Sequence, residues 1–479
     1  MEKEGGYSVV NIMDNSTIKW CSVTLSDVID RGKRLEASVF DVEAKQAFNI
    51  IKNSKYPKVN LISPDGFVEK AHYGGRLKRN YIKPNSINSI GFIGSSEMLD
   101  IYPTPVKFML NDKKVEDLRV KENTVLISRS GTIGNVTLVN KTLSKLLVSE
   151  HAIRLECFDY AGYVYTYLKT GIGKKIVCSN IYGAVIQQIE PEHLASVPIP
   201  NAPEEIKKKI HDLIIRSYEL RDESNVLLDK AEQMLVEELK LPPIEEMQDS
   251  EDTVETFNVK LSELNQRTDA SYHVPVVKTI LKHLKEYAGE LTTIGDECIS
   301  KGVVLPGRFK RVYVEDNYGV RFLGGKELKQ LDPTTEKYLS KVAHKKQLEG
   351  SLGIKEYSIL TPARGSLGDV ILPCKHFIDW AISDNVMQIL SNKEMCGYTY
   401  IFLNTPYGKE LIKRFTYGGV IDAIEPFHIQ QVIVPLLKDK DKQAQINTLA
   451  LEANEKRYQA YCLEQEALKI MDEEVIYAQ

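Results

Sequence analysis

The sequence lacks most of the short patterns that mark an enzyme. No G-x-x-x-x-G-K-[ST] loop occurs, which excludes a P-loop nucleotide site. No H-E-x-x-H, no G-x-S-x-G elbow and no N/D-P-P-Y/F tetrapeptide is present, so zinc-protease, serine-hydrolase and amino-methyltransferase chemistry have no signature here. The seven cysteines (Cys21, Cys157, Cys178, Cys298, Cys374, Cys396, Cys462) stand singly without a C-x-x-C pair, so neither a zinc site nor a disulfide framework is signalled. No apolar run approaches the roughly twenty residues that span a bilayer. The N-terminus has no apolar signal core, and the expectation is a cytoplasmic protein without a membrane partner.

Charge is also sparse in net terms, but unevenly placed. The chain of 479 residues carries a formal net charge of −4. Residues 23–201 hold 24 basic and 18 acidic side chains, and residues 259–436 hold 23 and 20. Residues 229–256 hold 2 and 10. The acidity thus sits in a connecting segment between two mildly basic blocks, a balance compatible with nucleic acid but not diagnostic of it.

What the sequence has in abundance is itself. YGAVIQQIEPEHLASVPIP (182–200) returns as YGGVIDAIEPFHIQQVIVP (417–435), with 10 of 19 positions identical. VTLSDVIDRGKRLEAS (23–38) matches VKLSELNQRTDAS (259–271) at the RLEAS and RTDAS ends. GRLKRNYI (75–82) returns as GRFKRVYV (307–314), FIGSSEM as FLGGKEL, and PTPVKF as PTTEKY. VKENTVLISRSGTIGNVTLV (120–139) returns as IKEYSILTPARGSLGDVILP (354–373). Six collinear matches at nearly one spacing mean duplicated domains rather than a solenoid.

Each copy has a head and a tail. The heads, rich in short β-branched runs punctuated by Gly, Pro and Asn, with flanking helical spacing, are expected to be α+β. TVLISRSGTIGNVTLV reads as strand, glycine turn, strand, with Gly131 and Gly134 (Gly365 and Gly368 in the copy) supplying positive φ. In the first tail Ile206, Leu213, Leu220, Leu227, Met234 and Leu241 recur every seven residues, beside a small-residue stripe of Ile210, Ser217, Ser224 and Ala231. The second gives Ile446, Leu449, Ala453, Lys456, Ala460, Leu463, Ala467 and Ile470. These spacings predict two long helices whose seam packs as an antiparallel coiled coil, with a head at each end and a pseudo-two-fold axis.

The expected organisation is an N-terminal extension (1–22), a first head (23–202), a central spacer helix (203–241), an acidic linker (242–258), a second head (259–436) and a C-terminal spacer helix (437–479). Only His193 and His428 recur among the nine histidines. Inside Glu190-Pro191-x-His193 and Glu425-Pro426-x-His428, after Gly183 and Gly418, they are expected to form a joint that launches a helix, proline standing in its first turn. A lone acid–histidine pair without a third orienting group is a weak catalytic signal. No catalytic residue, resident cofactor or metal ligand is assigned.

With the repeat laid out, the chain resembles the specificity subunit of Type I restriction–modification systems over nearly its whole length. The resemblance rests on RLEAS/RTDAS, TVLISRSGTIG and YG-x-V-I-x-x-I-E-P-x-H followed by V-P-I-P and a long helix. It implies two target-recognition domains, no chemistry in this chain, and a bipartite DNA target with one half-site per head and a fixed gap. It further implies docking of two adenine-methyltransferase subunits that hold the methyl donor, and through them a restriction subunit. Candidate phosphate contacts are Arg76, Lys78, Arg79 and Tyr81, with Arg308, Lys310, Arg311 and Tyr313. Candidate base contacts on an exposed turn are Arg129, Ser130 and Thr132, with Arg364 and Ser366. One departure stands out: Ser128-Arg129-Ser130 is answered by Pro362-Ala363-Arg364, moving the arginine by one place. The competing reading is a two-headed, non-enzymatic protein- or glycan-binding protein with a coiled-coil spacer.

Overall fold

The computed structural model describes residues 22–30, 33, 40–182, 187–247, 256–264, 267–333 and 337–478. The first 21 residues, the RLEAS stretch, Gly183 and residues 248–255 of the acidic linker lie outside the described residues. The chain divides into two compact units, Met1–Glu219 with Cys462–Gln479, and Leu220–Tyr461. Both mix helix and sheet.

In the first unit, a four-stranded antiparallel sheet runs in the order Val68–His72, Ala152–Cys157, Val125–Ser128, Val136–Leu138. A second sheet orders Tyr81–Ile82, Lys107–Leu110, Ser89–Ile93 and Leu147–Val148, its last pair parallel. A strip pairing Lys58–Asn60 with Pro198–Pro200 precedes the long helix Glu204–Glu238. The second unit repeats the plan. Ser300–Val304, Val386–Ser391 and Ser358–Pro362 form one sheet, and Tyr313–Val314, Tyr338–Ser340, Gly319–Leu323 and Ala381–Ile382 the other. Glu290–Thr293 pairs with Ile433–Leu436 ahead of the helix Lys440–Ile470.

Small matched devices hold each plan. Thr170 ends the helix Ala161–Lys169 and caps Gly171–Cys178, its hydroxyl accepting from the Gly173 amide. Thr405 does the same before Pro406–Lys413, accepting from Gly408. Buried Tyr163 donates to the Pro200 carbonyl at 2.7 Å, and Tyr398 to Pro435 at 2.5 Å, tying a helix to each two-stranded strip. Gly162 and Gly397 sit where a Cβ would meet the long-helix backbone, His211 at 2.9 Å and Asn447 at 2.4 Å respectively. Only glycine allows that approach.

The helix seam differs in phase from the sequence reading. On the first long helix the fully buried row is Ile210, Ile214 and Ser217, continuing in the second unit as Arg221, Ser224, Leu228, Ala231 and Leu235. The expected row of Ile206, Leu213, Leu227 and Met234 is only half-buried, where head residues cover it; Leu220 alone of that row within the helix is fully buried. On the second long helix Ile446, Ala453, Ala460 and Ala467 are in the seam as expected. Their alternating partners are Ala450, Arg457 and Glu464 rather than Leu449, Lys456 and Leu463. Leu449 and Ile470 are buried against head residues. The heptad is right and its origin is off by one position, because polar residues occupy the seam. Arg457 donates to Ser224 Oγ at 3.2 Å and to Asn225 Oδ1 at 3.1 Å. Lys456 lies beside it, 2.5 Å from Glu223, and Lys442 pairs with Glu238. As numbers rise on one helix they fall on the other, so within the second unit the two segments are antiparallel. In the first unit, Glu464 is fully buried, 2.6 Å from Lys169 Nζ and hydrogen-bonded by Tyr165.

Candidate nucleic-acid interface

Three repeated segments that lie far apart in sequence meet at one place in each head. In the first head the turn after Ser128 is built by Gly131 at φ +78° and Gly134 at φ +83°. Ser128 Oγ bonds the Thr132 carbonyl and accepts from the Asn135 amide. The Arg129 amide donates to the His151 carbonyl at 2.9 Å, and its carbonyl accepts from the Ile189 amide at 3.0 Å. Ser130 pairs with Gln188 across an isolated bridge. The loop before the strand Ala152–Cys157 then links the turn to the basic segment: Arg79 makes a two-pronged bond with Glu150 at 2.7 and 2.8 Å. Ser130 Oγ lies 2.7 Å from His151 Nδ1.

The second head repeats this scaffold. Ala363 donates its amide to the Asn385 carbonyl at 2.8 Å and accepts from the Ile424 amide at 3.0 Å. Arg311 reaches Asp384 at 2.6 Å. Arg364 bridges to Ala423, and Gly365 donates to the Asp422 carbonyl at 3.3 Å. Gly365 and Gly368 take φ +85° and +93°, as the turn requires. Each linking arginine stacks over an aromatic ring, Arg79 on Phe92 at 5.1 Å and Arg311 on Phe322 at 5.2 Å.

Arg76, Lys78, Arg79 and Tyr81 are exposed, as are Arg308, Lys310, Arg311 and Tyr313. Thr132, Arg364 and Ser366 are exposed on the turns, and Ser130 is half-buried. Arg129 is the exception. Expected on an exposed turn, it is 2% exposed. Its guanidinium bonds Glu190, reaches Gln188 at 3.1 Å and the Ile189 carbonyl at 3.3 Å, and lies 4.0 Å over the Tyr73 ring. The half-buried Glu190 carboxylate and the ring supply a better environment than water for a planar cation, so the side chain turns inward. It holds the turn to the joint.

The joint residues are a local helix start. The Glu190 amide donates to His193 Nδ1 at 3.2 Å, and the Glu425 amide to His428 Nδ1 at 3.3 Å. Pro191 and Pro426 occupy the first helical turns. Histidine thus serves at the position where a capping box usually holds Glu or Gln. Burial, then the nearby Arg267 charge, lowers the His428 pKa, while Glu425 opposes them. Tyr182 bonds Glu190 and Tyr417 bonds Glu425 at 2.6 Å; in each case that bond raises the tyrosine pKa. Gly418, at φ +113°, begins a hairpin tip.

Glu150, His151, Asp384 and Asn385 were not singled out from sequence. Their signal was present: Ser149-Glu150-His151 returns as Ser383-Asp384-Asn385 at the repeat spacing. Burial is the largest single influence on Glu150 and would raise its pKa, but the Arg79 hydrogen bond, a backbone hydrogen bond and the Arg79 charge together outweigh it and hold the carboxyl below its ordinary range. The side chain of His151 is 45% exposed. Among the described residues, no group of three or more His, Cys, Asp or Glu is placed to hold a metal ion. No helix among them is long and apolar enough to cross a membrane.

No protein-family model and no curated protein matches the chain. Among solved structures, it resembles the S subunit of a Type I restriction–modification system from M. genitalium. That match covers 89% of this chain and 96% of the other, at 14% identity and a TM-score of 0.34. It also resembles the HsdS subunit from Thermoanaerobacter tengcongensis, over 88% and 97%, at 12% identity and a TM-score of 0.27. A third match is a chain from a study of complex assembly and conformational transition in the type I R-M system. It covers 85% and 98%, at 14% identity and a TM-score of 0.26.

Proposed function

We propose that this chain is the non-catalytic, sequence-specific DNA-binding specificity subunit of a Type I restriction–modification complex. It reads a bipartite target, one half-site per head, with a gap set by the long helices. The observation that supports this most is the convergence, in each head, of the basic segment, the glycine turn and the joint on one exposed edge. A reader of duplex DNA needs that combination: cations to fix register on phosphates, and a narrow turn to enter a groove.

The roles divide accordingly. Arg76, Lys78, Arg308 and Lys310 grip phosphates, with Tyr81 and Tyr313 alongside. Arg79 and Arg311 are held for the same task by Glu150 and Asp384. Ser130, Thr132 and His151 face base edges in the first half-site, and Arg364 and Ser366 in the second. Arg129, Glu190, Glu425, His193 and His428 position the turns. Two methyltransferase subunits dock on the outer helix faces and flip the target adenine out of the duplex. They hold the methyl donor and connect to the restriction subunit; this chain needs no cofactor.

The test is a gel shift and methylation map of the full chain with its methyltransferase subunit. The expected result is a bipartite site with a constant gap. A single contiguous site would sink the proposal. Binding that falls steeply with salt, as several neutralised phosphates require, separates it from the alternative of a two-headed protein or glycan binder.

A further inference from the structure

The joint of the second head ends in a feature that phosphate grip and base reading do not use. The Tyr417 amide donates to the Ala423 carbonyl at 3.0 Å, and the Ala423 amide to the Tyr417 carbonyl at 2.8 Å. This closed stem carries Gly418, Gly419, Val420 and Ile421 at its tip. Val420 is 99% exposed and Ile421 64%. A Cβ on Gly418 would meet the Ile421 carbonyl at 2.4 Å, so the tip is shaped for glycine. Two adjacent aliphatic side chains stand in water on a hydrogen-bonded stem that fixes their position.

The stem also fixes where the tip stands. Ala423 bridges to Arg364, and the Asp422 carbonyl receives the Gly365 amide. Arg364 acts electrostatically on the Tyr417 hydroxyl. Ala363 is tied through Asn385 to the loop of Asp384, which holds Arg311. The aliphatic tip therefore shares an edge with Arg364, Ser366 and the basic segment; the exposed Asp422 is the one carboxylate at the tip. A protein interface of ordinary size covers about 800 Å² per partner, far more than two small side chains offer. A cationic edge with a small apolar point instead fits a polyanion whose base faces are apolar.

We propose that Val420 and Ile421 form a wedge that enters a base step of duplex DNA in the half-site read by the second head, unstacking it while Arg364 holds the adjacent base or phosphate. Apolar wedges of this size pry steps open in other DNA-bending proteins. The inference rests on the DNA-binding reading above. The first copy reads Tyr182-Gly183-Ala184-Val185-Ile186 at the matching place in the sequence, with Ala184 where the second has Gly419.

The experiment uses the full chain with its methyltransferase subunit. Its target comes from selection on a random duplex pool, and 2-aminopurine is then placed at successive steps of each half-site. Wild type should raise 2-aminopurine fluorescence severalfold at one step of the second half-site. Val420→Ser with Ile421→Ser should abolish that rise and weaken binding about tenfold, leaving the salt slope, thermal melt and subunit assembly unchanged. Val420→Leu with Ile421→Leu should restore both signals. Unstacking and affinity retained in the serine variant overturn the wedge, as does lost assembly with DNA binding intact, which would make the tip a protein contact. A wild-type chain that selects no duplex overturns the DNA-binding reading itself, and so is distinguishable from failure of the wedge alone.

Discussion

In the first head the residue that follows the hairpin strand is Arg129, drawn inward onto Glu190; in the second it is Ala363, and the arginine stands one place further on, in water. The backbone bonds that anchor these two residues are matched: each amide donates to the linking loop and each carbonyl accepts from the joint. With Ala363 too small to reach Glu425, the cation near that joint comes from the start of the head. Arg267 lies 3.4 Å from His428 Nε2, is paired to Asp269 at 2.6 Å and is stacked on Tyr272 at 4.8 Å. One duplicated plan thus places its arginines differently. The first copy uses one to fasten a turn, and the second frees one for the surface.

Arg129→Ala should show the largest effect, because it leaves a half-buried carboxylate without its cation. A loss of about 3 kcal/mol is expected, read as a fall of roughly 10 °C in the melt of the first unit, with hydrogen exchange rising at 124–138. An unchanged melt with weakened DNA binding would break the comparison. Arg364→Ala should do the reverse. Stability should stay within about 0.5 kcal/mol, while discrimination at one base of the second half-site falls by about 2 kcal/mol, measured by competition with single-base variants.

Glu150→Gln and Asp384→Asn sharpen the comparison at the linking loops. Each should cost about 1 kcal/mol of stability and loosen phosphate grip in its own half-site only. The Glu150 carboxyl is held below its ordinary range, so its contribution is complete above about pH 4.5 and fades as pH falls through the lowered value. Glu150→Gln should flatten the acid limb of the first unit's stability curve. The smallest effect belongs to His428, whose pKa is lowered by burial and then by the Arg267 charge. The unfolded chain takes up a proton below about pH 6.5 and the folded joint resists it, so stability falls as pH drops from there towards the folded value. His428→Gln should remove that slope at a cost of about 0.5 kcal/mol, seen in melts between pH 7 and 5.

The repeat, the strand–turn–strand hairpin of the first head and the mixed fold were legible because local spacing determines them; in the second head the return strand shrinks to one bridge, Leu360 to Ile371. The seam's phase was not. Apolar periodicity marks every covered face of a helix, and here the head covers Leu213 and Leu227 while Arg457 and Glu464 fill the partner row. Arg129 escaped for a related reason, since an arginine beside a glycine turn reads as surface until Glu190, 61 residues on, is brought alongside. The Ala363 counterpart was the available hint, because a position that accepts alanine in one copy is compatible with an interior.

The fully buried Glu464, bonded to Tyr165 and Lys169, has a consequence for the order of events at the ribosome. The core of the first unit includes Ala467, Ile470, Met471, Val475 and Ile476, which are synthesised only after residues 220–461. Residues 220–461 must be made in between, on the order of tens of seconds at ordinary translation rates. During that interval the first unit lacks this part of its core, so a unit begun before residues 220–461 is completed only after them.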